Sequence, residues 1–216
     1  MNKILALLFF SNFLLSELIL EITQGTEDPF RVAIVQFGGN EKIAKKIDEV
    51  IQNNLARTGE FTIFNNDDLL TVPNKKSEIV FNDFKILNID YLIIGNILED
   101  GSSITAEYEV FDIRKGLKVR SSTVFGIPNK NRQLAHYISD GIYEEITGIK
   151  GIAATKILYV TENKNFKLVM ADADGSNEQT LLDSPEPIIS PSWSPDSKKV
   201  AYVSFETGMA KVFVQD

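Results

Sequence analysis

A chain of 216 residues with 44% hydrophobic and 24% charged residues has globular composition, long enough for one domain and part of a second. Its formal charge of −8, with no block of Lys or Arg to offset it, argues against nucleic acid or anionic lipid as a partner held by counterion release. Cysteine is absent, which excludes disulfides, thiolate metal sites and thiol nucleophiles while fitting either redox compartment.

Lys3 precedes an apolar run over residues 4–10, then Ser11 and Asn12, a second apolar stretch at 13–15, and the small Ser16. That order predicts a secretory signal over residues 1–16 with cleavage after Ser16, although Leu14 stands where a small residue is preferred. A spanning helix needs about twenty apolar residues. Asn12, Ser16 and Glu17 interrupt the run, so the expectation is an exported protein with no membrane span once the signal is removed.

Beyond the signal, Leu18, Leu20 and Ile22 alternate with Ile19 and Glu21, the pattern of an extended edge strand. Residues 31–37 form a short apolar run ended by Gly38, Gly39 and Asn40, which predicts a buried strand and a turn. Ile43, Ile47, Val50, Ile51 and Leu55 recur at helical spacing, and Thr58-Gly59 stops that helix. Residues 61–64 read as a strand, 81–87 as a short helix, and 91–98, 104–113 and 117–126 as three consecutive antiparallel strands. In the middle one, Ile104, Ala106, Tyr108 and Val110 should face a core, with Thr105, Glu107 and Glu109 toward solvent. A last helix is predicted over 131–147, with Leu134, Ile138, Ile142 and Ile146 inward and Gly148 as its cap. The fold expected for residues 30–150 is an α/β domain, a mixed sheet with packed helices.

The final third repeats itself. Lys156-Ile157-Leu158-Tyr159-Val160 returns as Lys199-Val200-Ala201-Tyr202-Val203, and the stretch from Lys167 to Asp172 returns from Lys211 to Asp216. A period of about 43 residues with short alternating strands is that of β-propeller blades. Residues 151–216 should therefore form an incomplete all-β propeller, and the chain is expected to be a truncated form of a longer protein.

Glu21-Ile22-Thr23-Gln24-Gly25, the stretch from Ile89 to Gly95, Ala135 to Asp140, Ile146 to Gly151, and Ser190-Pro191-Ser192-Trp193-Ser194-Pro195-Asp196 occur in the order found in the TolB family, which the chain resembles. The resemblance implies a periplasmic, non-catalytic component of the Tol-Pal system, monomeric and without cofactor. It would link the inner-membrane protein TolA to the lipoprotein Pal and support outer-membrane constriction at division. It also implies a six-bladed propeller, of which about one and a half blades are present. Within residues 17–29 it assigns TolA recognition to Glu17, Leu18, Ile19, Leu20, Glu21, Ile22, Thr23, Gln24 and Gly25, a segment that docks or frees itself according to whether Pal is bound.

Other motifs carry less. Asp172, Asp174 and Gly175 suggest a calcium loop, but its sixth position is Asn177 and its twelfth Asp183, so a strand-connecting turn is the expectation. Trp193, the sole tryptophan, is expected to pack between blades. His136, the sole histidine, has Asp140 one helical turn on, a pairing that could hold its tautomer. No nucleophile elbow accompanies it, so His136 is expected to be structural. Gly38-Gly39-Asn40 lacks the spacing of a phosphate-binding loop. The alternative function is the propeller of an exported prolyl-oligopeptidase-like hydrolase whose catalytic domain lies elsewhere.

Overall fold

The computed structural model describes residues 28–216. Its first part is a 6-stranded mixed sheet built from β1 (Phe30–Ile34), β2 (Gly38–Gly39), β3 (Phe61–Phe64), β4 (Tyr91–Glu99), β5 (Ile104–Asp112) and β6 (Leu117–Gly126). The order is β3-β1-β4-β5-β6, with β2 alongside β4. β1 runs parallel to β3 and β4, whereas β4, β5 and β6 are antiparallel neighbours. Three α-helices among the described residues accompany the sheet: α1 (Glu41–Arg57), α2 (Phe81–Ile86) and α3 (Asn131–Thr147).

Two apolar layers explain why β1 is hydrophobic without alternation. Val32 and Ile34 join the cluster under α1 and α3, and Ala33 and Val35 join the one under α2. A strand buried on both faces has no polar side to show. β5 keeps the expected alternation from Ile104 to Val110, and the departure comes at its end. Ile104, Ala106, Tyr108 and Val110 enter the first core, but Phe111 and Ile113 are buried on the opposite face in the second. The short helix α2 covers that end of the sheet, so its solvated face stops at Glu109.

Asn40 caps α1 by accepting the Ile43 N–H at 3.4 Å. The two glycines before it are more than a turn, since Gly38 and Gly39 pair with Asn96 and Ile97 of β4. Gly39 has φ +97°, and a Cβ there would lie 2.0 Å from the Ile97 carbonyl oxygen. α3 ends at Gly148, whose left-handed backbone lets its N–H reach Glu144 at 2.9 Å.

Residues 156–216 form two antiparallel sheets, β7 (Lys156–Glu162), β8 (Phe166–Asp172) and β9 (Gln179–Ser184), then β10 (Ile188–Trp193), β11 (Val200–Ser204) and β12 (Lys211–Gln215). The sequence repeat is also a repeat of register, for Tyr159 pairs with Val169 and Tyr202 with Phe213. The sheets pack through Leu168, Ile188, Val200 and Tyr202, as successive propeller blades do. The chain is thus an α/β unit followed by partial propeller blades. Among the described residues, no helix is long and apolar enough to cross a membrane.

Candidate functional site

Residues 17–25, which carry the expected partner-binding segment, lie outside the described residues. Within them, the charged and polar groups converge where the α/β unit meets the first blade. α3 supplies Arg132, His136 and Asp140 at successive helical turns, α1 supplies Asn54 and Arg57, and the end of β8 with the turn after it supplies Asp172, Asp174 and Ser176.

Asp140 does not hold His136. Its two oxygens accept the N–H groups of Ala153 and Ala154 at 2.6 and 3.0 Å, tying the connecting segment back onto α3. Two backbone donors in one place orient a carboxylate more firmly than one neighbouring ring does. His136 instead has Nδ1 2.9 Å from Asn54 Nδ2 and Nε2 3.5 Å from an oxygen of Asp172, across the junction. Arg132 pairs with Asp174 and donates to Ser176 Oγ at 2.9 Å. Arg57 donates to the Ala173 carbonyl at 2.8 Å, and Lys156 pairs with Asp172.

The turn that carries the acids is closed locally. The Gly175 N–H meets the Asp172 carbonyl at 2.8 Å, and Asn177 donates to the Asp172 carboxylate at 2.6 Å. Burial opposes the charge of Asp172, but Lys156 and Asn177 outweigh it and hold the carboxyl below its usual value. Burial likewise opposes the charge of Asp174, and there the Ser176 N–H and Arg132 prevail. For His136 the balance falls the other way. Its burial lowers the ring's proton affinity more than Asp174 and Asp172 raise it, and Arg132 lowers it further.

The ligand atoms of His136, Asp172 and Asp174 lie within 4.8 Å of one another, a spacing that could bridge a divalent ion. Each carboxylate is already paired with a cation, and an ion would have to displace Lys156 and Arg132. The arrangement suits the holding of two bodies together better than metal binding. A polar cavity of about 580 Å³ opens over Arg132, His136, Lys156 and Asp172. Beside it, a more apolar groove of about 400 Å³ runs between Leu55, Tyr143 and the exposed Ile149 and Ile152.

Trp193 sits half-buried against the Leu168, Ile188, Val200 and Tyr202 cluster, which draws on both sheets. Sequence reasoning singled out His136 and the Asp172 turn but not Asn54, Arg57, Arg132 or Lys156 as their partners. The one available signal was the Arg132, His136, Asp140 series at helical spacing.

A family model described as the TolB amino-terminal domain matches residues 18–119, and one described as the TolB beta propeller domain matches residues 143–216. A Tol-Pal system protein TolB from Alcanivorax borkumensis is 39% identical over 196 residues, 88% of this chain and 45% of that protein. The protein of the same name from Pseudomonas aeruginosa is 35% identical, covering 91% of this chain and 47% of its own length. The crystal structure of TolB from Acinetobacter baumannii superposes with a TM-score of 0.80 at 30% identity, over 88% of this chain and 47% of that one. The chain thus spans about half the length of the curated relatives it matches.

Proposed function

The chain belongs to the TolB family, and on that footing we propose that it is a non-catalytic protein-interaction component of the Tol-Pal system, acting in the periplasm as a link between TolA and Pal in outer-membrane constriction. The observation that carries this reading is the succession of two TolB units in one chain, an amino-terminal domain followed by the start of a propeller. A hydrolase whose propeller filters substrates would not need the first of them. Further support comes from the sole histidine, which is enclosed by Asn54 and Asp172 rather than set beside a free nucleophile. The hydroxyl of Ser139, which shares the Asn54 amide with the ring, donates to the Ala135 carbonyl.

The mechanism proposed is a population shift. Residues 17–25 exchange between docked and free states separated by a few kcal/mol, and Pal favours one state, changing the affinity for TolA several-fold. Calorimetric titration of the chain with the C-terminal domain of TolA tests this. Binding should disappear on deletion of residues 17–25, and Leu18→Ser with Leu20→Ser should weaken it by about tenfold through loss of apolar contact. Equal binding by the intact, shortened and substituted chains, all folded, would overturn the assignment of the segment.

A further inference from the structure

A buried nitrogen at the junction lacks a hydrogen-bond partner among the described residues. His136 Nε2 belongs to a ring that is 3% exposed, and it faces the carboxylates of Asp172 and Asp174. Buried polar atoms are nearly always paired, and one that is not marks a place where a further group fits. We propose that His136, Asp172 and Asp174 bind a divalent ion of the zinc class, taken up in exchange for the Lys156 and Arg132 cations. The site is independent of the Tol-Pal reading.

The ring aims Nε2 into the acid pair. It stands 3.5 Å from Asp172 Oδ2, longer than a hydrogen bond. A tetrahedral ion with bonds of about 2.1 Å sets its ligand atoms about 3.4 Å apart, so these two groups already have the required spacing. Asp174 lies within 4.8 Å of both, in the turn after β8, and closes the remaining distance. The polar cavity of about 580 Å³ that His136 and Asp172 line gives the ion an entry path and leaves room for water as a fourth ligand.

The far side of the ring is prepared as well. An imidazole that binds metal through Nε2 carries its proton on Nδ1 and needs an acceptor there. The Asn54 amide is 2.9 Å from Nδ1, and turning it end for end sets Oδ1, which has no partner of its own, on that proton. Ser139 Oγ, 3.0 Å from the same amide position, then donates to Oδ1. The turn gives up only the Ser139 bond to the Ala135 carbonyl inside α3.

As it stands, Lys156 on Asp172 and Arg132 on Asp174 make the cluster a clasp, and the ion enters only by replacing them. Two single cations leave for one double cation, so the net charge among the acids is unchanged. Both departing side chains are already partly exposed, 46% for Lys156 and 36% for Arg132, and they return readily to water. An imidazole beside two carboxylates suits zinc better than calcium or magnesium, which prefer oxygen ligands. His136 comes from α3 and both acids from the blade, so the ion takes over the hold across the junction.

Titration calorimetry of the chelator-stripped full chain with zinc chloride, against calcium and magnesium chlorides, tests the site. One zinc should bind per chain. His136→Gln should weaken binding by more than about tenfold, whereas Lys156→Gln, which removes a competing cation, should tighten it several-fold. At saturation the nitrogen resonances of the sole histidine should show metal on Nε2 and the proton on Nδ1, which separates this site from adventitious zinc on surface carboxylates. If His136→Gln does not fold, Lys156→Gln and the parent's resonances decide. Absence of zinc binding, equal binding by a folded His136→Gln, no tightening in Lys156→Gln, a histidine unmoved by zinc, or tighter binding of calcium would each overturn the site.

Discussion

Asp48, buried in α1, accepts the Phe37 N–H at 3.0 Å with one oxygen and leaves the other without a partner. Burial pushes its carboxyl up to about 7, against the pull of the Phe37 bond and with a smaller push from Glu49. The folded state therefore holds this proton more tightly than the unfolded chain. Its contribution is complete below the ordinary value of 3.8, is lost as pH rises toward about 7, and is flat above. Asp48→Asn should be more stable than the parent by about 1–3 kcal/mol at neutral pH, with the gap closing near pH 4 in parallel denaturant titrations. Gly39 makes a second prediction. Gly39→Ala should cost about 2–4 kcal/mol, because a Cβ collides with the Ile97 carbonyl, whereas Gly59→Ala, also at positive φ but in open space, should cost only about 1 kcal/mol. Equal losses in thermal melts would mean that backbone strain, not the collision, sets the cost.

At the scale of elements, α3 rests on β5 through a gap left by a missing side chain. A Cβ at Gly141 would lie 2.2 Å from the Tyr108 hydroxyl. Gly141→Ala should destabilise by about 1–3 kcal/mol despite its gain in helix propensity, and adding Tyr108→Phe should return much of the loss by removing the colliding atom. A double variant no better than the single one, compared by calorimetry, would place the strain elsewhere. This contact was not readable in advance. Gly141 interrupts an otherwise regular apolar stripe, and only the register of β5 brings Tyr108 beneath it. By contrast, the ends of α3 and β6 agree with the sequence reading, because Gly148, the Lys115-Gly116 turn and the apolar periodicity act locally.

For the whole molecule, the polar junction implies that the two parts unfold with little coupling. Arg132→Ala, which removes the pair with Asp174 and the bond to Ser176, should lower the transition of the blades and leave that of the α/β unit within about 0.5 kcal/mol. Equal shifts of both transitions in scanning calorimetry would show a shared core instead. The mixed sheet with its helices and the repeat of blade strands were legible along the chain, because periods of two and 3.6 residues and a long-range repeat are written in it, while the family was legible through the resemblance carried by motifs such as Ile89 to Gly95 and Ser190 to Asp196. The sequence did not reveal that Phe111 and Ile113 are buried on the face opposite Val110, since that depends on α2 folding over one end of the sheet. It pointed to His136 and to the Asp172 turn separately, and it paired the ring with Asp140, its neighbour on the helix. Only the tertiary structure turned Asp140 to the connecting segment and set His136 between Asn54 and Asp172, 82 residues away on one side and on a separate sheet on the other. Hydrogen bonds and charge pairs between distant segments leave no period in a sequence, and their partners are chosen when the chain packs.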